Sequence, residues 1–254
     1  MRKRYSSNLT DSQWQRIKHL FDFQRKRDHD LRRDILNGLL FLVRTGCQWR
    51  MLPGEFAPWQ SVYYYFRRWR DDGRFRRLLH SVREMIRLKL GRHRSPSAAV
   101  IDCQSVKTAV FNPARGYDGF KKIKGRKRHV LTDTLGLLLS VVVHKANLHE
   151  SLQAERVLGR ITGRFARLKV IFADQGYAGK LVDYVKRVFG WALQVIRREQ
   201  ERKGFVVLPK RWVVERTFGW FEHYRRLAKD YEFNPRSSEA MIELAMTRLM
   251  LNRL

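Results

Sequence analysis

Cysteine is nearly absent: Cys47 and Cys103 are the two in 254 residues, far apart and with no CxxC spacing. That excludes a disulfide framework, and two cysteines cannot by themselves build a structural zinc site. Two reduced core thiols are the expectation. Acids are scarce as well, with 24 Asp and Glu against 53 Lys and Arg, a formal net charge of +29 with histidine neutral. Self-repulsion of that size destabilises a compact chain standing alone, and a partner dense in phosphates relieves it. Nucleic acid fits this better than a membrane surface. Long apolar runs are missing too. The longest, Leu135 to Val143, contains Gly136 and Ser140 and is about half the roughly 18 residues that span a bilayer. Met1-Arg2-Lys3-Arg4 is basic like the start of a signal peptide, but polar residues follow it, so no secretion is expected.

Enough apolar material is present to exclude disorder: 44% of residues are hydrophobic and 12% aromatic, with 7 Trp. The excess charge therefore rides on a folded surface. No internal repeat or low-complexity tract is visible, and the length suits one large or two modest domains.

The N-terminal third reads as helices. Thr10-Asp11-Ser12-Gln13 matches a capping box, with Trp14, Ile17, Leu20 and Phe21 behind it at helical spacing. A charged turn runs from Arg25 to Asp30. Leu31, Ile35, Leu39 and Leu42 then form the stripe of a long core helix that Gly46 stops. After a turn-rich connector, Pro58 introduces a helix from Trp59 to Arg70 that carries Tyr63, Tyr64, Tyr65, Arg67 and Arg68. Two helices with an intervening turn fit a helix-turn-helix whose second member enters a major groove, with Trp59, Tyr63, Tyr64, Arg67 and Arg68 as candidate DNA contacts. A plain helical bundle with a basic outer face is the competing reading. Phe75, Leu78, Leu79, Val82, Met85 and Ile86 mark one more helix, ending at Gly91.

Gly91-Arg92-His93-Arg94-Ser95-Pro96-Ser97 is basic, small and proline-containing, and divides an expected helical domain (1–95) from a second domain (96–254). Strands follow: Val100 to Ala109, His129 to Asp133 and Leu137 to Lys145, the last two joined by the turn Asp133-Thr134-Leu135-Gly136. A helix is expected from about His149 to Phe165, capped by Asn147 with Glu150 three residues on. Then come a strand from Lys169 to Asp174, a helix from Gly179 to Phe189 and a short strand from Leu193 to Ile196. Helices over Arg211 to Tyr224 and Ser238 to Asn252 close the chain.

Three acids stand out. Asp102 interrupts Val100-Ile101-Asp102-Cys103, Asp174 ends Val170-Ile171-Phe172-Ala173, and Glu215 lies early in the helix that begins at Arg211. An apolar β-branched run capped by an acid delivers that side chain to the carboxyl end of a buried strand, where open α/β sheets place ligands. Three such acids could hold two divalent metals. Singly each has a plainer reading: Asp174 before Gln175-Gly176 could start a turn, and Glu215 could pair with Arg211 one helical turn earlier.

The segments Ile101-Asp102-Cys103-Gln104-Ser105-Val106-Lys107-Thr108, Lys124-Gly125-Arg126-Lys127-Arg128-His129, Ala173-Asp174-Gln175-Gly176-Tyr177 and Arg211-Trp212-Val213-Val214-Glu215-Arg216-Thr217-Phe218-Gly219-Trp220 together resemble a DDE-type bacterial insertion-sequence transposase. The resemblance is to the family named for insertion sequence five. It extends to Cys47-Gln48-Trp49-Arg50-Met51-Leu52-Pro53 and Pro58-Trp59, so it covers nearly the whole chain. It implies an RNase H-like catalytic domain of the α/β class, a mixed five-stranded sheet with flanking helices. An all-α, helix-turn-helix-like DNA-binding domain would precede it.

The same resemblance makes Asp102, Asp174 and Glu215 the catalytic metal ligands, with Asp102 bridging two Mg²⁺ ions and Mn²⁺ as a substitute. It implies double-stranded DNA as partner, both terminal inverted repeats and target, and a homodimer or larger assembly in a bacterial cytoplasm, associated with the nucleoid. Phosphodiester cleavage and joining at such a site are phosphoryl transfers. Arg211 and Glu215 match the Arg and Glu of a longer motif in related transposases, whose Tyr and Lys positions are here Leu208 and Glu222. Arg225, Arg226 and Lys229 are candidates for the missing charge. Lys121, Lys122, Lys124, Arg126, Lys127 and Arg128, read as a run just before a strand, join Arg211 and Arg216 as candidate DNA contacts. A solvated loop is the alternative for that run. Trp191, Trp212 and Trp220 could stack on an extruded base, although core packing suits most of them better.

Overall fold

Thr10 opens the first helix by the reciprocal hydrogen bonds that its sequence prescribes. Its hydroxyl accepts from the Gln13 backbone at 3.1 Å, and the Gln13 side chain accepts from the Thr10 backbone at 3.1 Å. The computed structural model describes residues 5–21, 30–109, 114–196 and 211–254. After α1 (Asp11–Ile17) come α2 (Leu31–Thr45), α3 (Trp59–Asp71) and α4 (Arg74–Lys89). Asp30 caps α2 through the Arg32 backbone, and Gly46 ends it at φ 72°, a conformation that a Cβ disfavours.

The helix-turn-helix expectation needs correction at its turn. Residues 46–58 separate α2 from α3 and contain a 3₁₀ turn of their own, Trp49–Met51, whereas that motif uses a turn of about 3–4 residues. The tight junction is instead between α3 and α4, where only Asp72 and Gly73 intervene.

The strands are β1 (Ala98–Lys107), β2 (Gly116–Asp118), β3 (Ile123–Asp133), β4 (Leu138–Lys145), β5 (Val170–Ala173) and β6 (Ala192–Val195). They form one mixed sheet in the order β2-β3-β1-β5-β6, with β4 paired to β3. The sixth strand, relative to the five expected, is the three-residue β2. Antiparallel pairs join β1, β3 and β4, while β5 and β6 run parallel to β1. Four helices complete the chain: α5 (Glu150–Gly159), α6 (Lys180–Phe189), α7 (Trp212–Glu222) and α8 (Pro235–Leu251). His149, rather than Asn147, caps α5, and the helix stops well before Phe165.

β3 begins at Ile123, six residues before the expected start, so the basic run from Lys124 on is strand, while Lys121 and Lys122 stay in the turn before it. Gly125 permits this, because a Cβ there would lie 1.9 Å from the Val106 carbonyl oxygen across the β1–β3 ladder. The turn from Asp133 to Gly136 is as read, with Gly136 N donating to Asp133 O at 2.9 Å.

Both faces of the sheet are covered. Ala99, Ile101, Leu131, Leu139 and Val142 pack under α5 and α6, burying Val157, Leu158, Tyr177 and Val185. Val100, Val130, Leu138, Val141 and Val143 face α8, which is buried along most of its length and has α2 and α4 packed against it. One apolar core therefore runs from Trp14 through Leu39, Phe66 and Val82 to Met246 and Val130. The boundary expected after Ser95 marks the change from helices to strands, and the core continues across it. No helix among the described residues is long and apolar enough to cross a membrane.

Candidate catalytic site

The spacing of the two aspartates is a register. Ala98, Ala99 and Val100 of β1 stand opposite Val170, Ile171 and Phe172 of β5, each partner 72 residues later in the chain. Asp174 follows Asp102 by the same 72 residues, so two steps past the last pair the parallel strands bring the carboxylates together. β1 is a central strand, with β3 on one side and β5 on the other, which explains why Asp102 is only 8% exposed. Asp174 sits just beyond β5 and also begins a 3₁₀ turn, its carboxylate accepting from Gly176 N at 2.9 Å. The turn reading of Asp174 is thus seen directly, and it leaves the carboxylate beside Asp102.

A third acid completes the cluster, and it is Glu150. Carboxylate oxygens of Asp102, Glu150 and Asp174 all lie within 4.8 Å of one another. Glu150 is the first residue of α5, held there by Lys127 Nζ at 3.2 Å. In sequence it looked like a capping residue. Only the packing of α5 against β3 and β4 carries it to the site.

Glu215 reaches the cluster through Arg211. One guanidinium nitrogen of Arg211 lies 3.6 Å from Asp102, 3.7 Å from Asp174 and 3.7 Å from Glu215, the last being its partner one helical turn on. Glu215 itself is half exposed, on the outer side of α7. Burial raises the Asp102 carboxyl to about 6, helped by the charge of Asp174 and opposed by the Cys103 backbone N–H at 2.6 Å and by Arg211. Acids crowded in this way repel one another and need cations among them. Hard carboxylate oxygens converging on one point fit Mg²⁺ or Mn²⁺, and the donor set of Asp102, Glu150 and Asp174 passes that test.

Two regions of this chain match known families by sequence. Residues 93–250, more than half the chain, match the family described as "Transposase DDE domain". The chain belongs to that family. Residues 9–79 match a second family, "Putative transposase of IS4/5 family". The "Putative transposase for insertion sequence element IS402" of Burkholderia cepacia is 28% identical over 137 residues, which is 51% of this chain and 64% of that protein. The family resemblance seen in the motifs is thereby shown, and with it the RNase H-like class of the α/β region.

In this DDE-family chain the other candidate residues are scattered. Lys121, Lys122 and Lys124 are exposed, and Lys127 is turned inward to Glu150 and Asp118. Arg126 and Arg128 are buried at 0% and 3% exposure. Arg126 donates to Asp230, to the Glu232 and Phe233 carbonyls and to Ser238, while Arg128 donates to the Leu227 carbonyl. Those bonds remove both arginines from the DNA-contact set.

On α3, Val62, Phe66 and Trp69 face the core, leaving Tyr63, Tyr64, Arg67 and Arg68 on the outer side. Trp59 is half-buried, with the Arg50 guanidinium over its ring. Trp191 is buried and stacked on Phe189, as core packing predicts. Arg216 lies between Trp212 and Trp220, 4.6 and 4.8 Å from their ring centroids, on the exposed side of α7. Arg226 is buried against Glu232, and Arg225 lies in the 3₁₀ turn after α7. Leu208 falls outside the described residues.

Proposed function

We propose that this chain is a DNA transposase that cuts the phosphodiester backbone at the ends of its insertion sequence and joins the 3′-hydroxyls to target DNA. The convergence of Asp102, Glu150 and Asp174 carries this reading, because two of the three family motif acids and one further acid meet there, with Glu215 joined to them through Arg211. Asp102, Asp174 and Glu215 are the metal-binding acids in this reading, with Glu150 as an added ligand for two Mg²⁺ ions. Bound Mg²⁺ would supply an activated water or 3′-hydroxyl and charge stabilisation for the departing oxygen. Arg211 is the cation that the acids hold, and its fork fits a phosphate oxygen pair once DNA is present. Lys121, Lys122 and Lys124, with Arg216 on α7, grip backbone. The helical region through Ser95 binds the terminal inverted repeats, with the outer face of α3 toward DNA, and residues 96–254 carry the chemistry. Pairing of two element ends calls for a homodimer or larger assembly on DNA, in the bacterial cytoplasm at the nucleoid.

The experiment uses a labelled terminal-repeat duplex with Mg²⁺, read for nicked and joined products alongside binding and melting. Asp102→Asn, Asp174→Asn and Glu215→Gln are near-isosteric, so each should keep the fold and DNA affinity while cleavage and joining fail together. Near-normal cleavage in one variant removes that residue from the site. Cleavage without joining in the unmodified protein would favour an RNase H-like nuclease, and binding with neither step a DNA-binding regulator.

A further inference from the structure

Behind Asp102, on the opposite face of the sheet, lies a second group of potential ligands that the proposed chemistry does not use. Cys103 of β1 stands directly across from His129 of β3, and His144 of β4 pairs with Lys127, two residues before His129. The strand period of two therefore puts Cys103, His129 and His144 on one face. A thiol sulfur and one nitrogen from each ring lie within 4.8 Å of one another. All three residues are buried, at 3%, 0% and 3% exposure.

The imidazoles are prepared as ligands. His144 Nδ1 lies 3.0 Å from the Lys145 carbonyl oxygen, which can only accept, so that nitrogen carries the proton and Nε2 holds the lone pair. His144 Nε2 finds no hydrogen-bond partner among the described residues, nor does His129 Nδ1. His129 Nε2 lies 2.8 Å from the Tyr177 hydroxyl, a contact of the kind that orients metal-binding imidazoles through their other nitrogen. Burial holds both rings neutral. Each ring thus keeps one buried nitrogen without a protein partner among the described residues, free to take a ligand.

We propose that Cys103, His129 and His144 bind a single borderline-soft divalent ion of the zinc class, distinct from the carboxylate site. Ligand separations in a tetrahedral zinc site are about 3.3–3.8 Å, from bonds of about 2.0–2.3 Å, so a small inward adjustment closes the group. On binding, the ion takes the Cys103 thiolate and the two nitrogen lone pairs, and the thiol proton leaves to solvent. One positive charge remains; Glu150 and Asp102 act on Cys103 from one side and Lys127 and Lys121 from the other. The ion would tie β1, β3 and β4 together behind the active site and hold the Cys103 N–H that donates to Asp102.

Cobalt provides the test, because a thiolate–cobalt charge-transfer band reports sulfur ligation and a carboxylate site cannot produce one. Full-length protein is stripped with chelator, saturated with Mg²⁺ and titrated with Co²⁺, then with Zn²⁺. One equivalent of Co²⁺ should give the band and Zn²⁺ should abolish it. Cys47→Ser should retain the band, and since the chain has two cysteines that result assigns it to Cys103 even if Cys103→Ala fails to fold. His144→Gln should weaken Co²⁺ binding at least tenfold, and Zn²⁺ should raise the melting temperature of the unmodified protein and of Cys47→Ser alike. No band in folded protein, or a band lost in Cys47→Ser, overturns the proposal.

Discussion

Arg126 donates to Asp230 at 3.1 Å across a contact closed to solvent, the two side chains being 0% and 1% exposed. A residue that reads in sequence as part of a DNA-gripping run is thus an internal tie between β3 and the segment that leads into α8. Breaking a buried pair from one side leaves a charge without its partner and costs about 3–5 kcal/mol. Arg126→Ala should lower stability by that order in a denaturant melt. Lys122→Ala with Lys124→Ala should leave the melt within about 0.5 kcal/mol, yet reduce the slope of log affinity for DNA against log salt by about 0.9 for each phosphate no longer neutralised. If Arg126→Ala melted like the unmodified protein and changed the salt slope instead, the assignment would reverse.

The case of Arg126 shows where the sequence was legible. β1 and β5 read as apolar β-branched runs, and an acid in or just after each run is what makes Asp102 and Asp174 stand out in sequence; the register that brings them together is seen only in the fold. Local caps were legible too, as at Thr10 and Gly46, because their chemistry lies within a few residues. What stayed hidden depends on distant partners. Arg126 and Arg128 look solvated until Asp230 and the Leu227 carbonyl are known to meet them. Glu150 looks like a helix cap until α5 packs on the sheet. α8, with Glu239 and Glu243 in it, reads as a closing helix, whereas it fills the centre of the core because Arg160 and Arg76 compensate those acids.

Arg211 sits among the acids where a bound metal would lie. Its guanidinium lies within 3.7 Å of Asp102, Asp174 and Glu215. Arg211→Gln removes that cation, so Mn²⁺ affinity should rise by about tenfold, while affinity for terminal-repeat DNA falls. A Mn²⁺ titration followed by electron paramagnetic resonance reads the first, and unchanged affinity would mean that the pairs are too weak to compete.

The outer face of α3 offers the residues suited to reading base edges. Arg67→Ala should cost about 1–3 kcal/mol on terminal-repeat DNA and much less on random duplex. Tyr64, 59% exposed, is a companion probe whose replacement by Ala should leave stability nearly intact. Equal losses on both duplexes would reduce α3 to a backbone contact.

Glu243 sets a pH dependence with a definite sign. Burial in α8 raises its carboxyl from 4.5 to about 7; Arg76 at 3.7 Å and Arg160 oppose the rise, and Glu239 adds to it. Between about 4.5 and about 7 the folded chain holds a proton there that the unfolded chain has released. Stability from this group is therefore full below 4.5, falls as pH rises through that window and levels off above it. Gln mimics the protonated acid, so Glu243→Gln should exceed the unmodified protein in stability by on the order of 1–3 kcal/mol at about pH 8, with the gap closing toward about pH 5. Paired thermal melts at the two pH values decide it. Parallel curves, or a variant less stable at the higher pH, would mean that the Arg76 pair outweighs the burial of the charge.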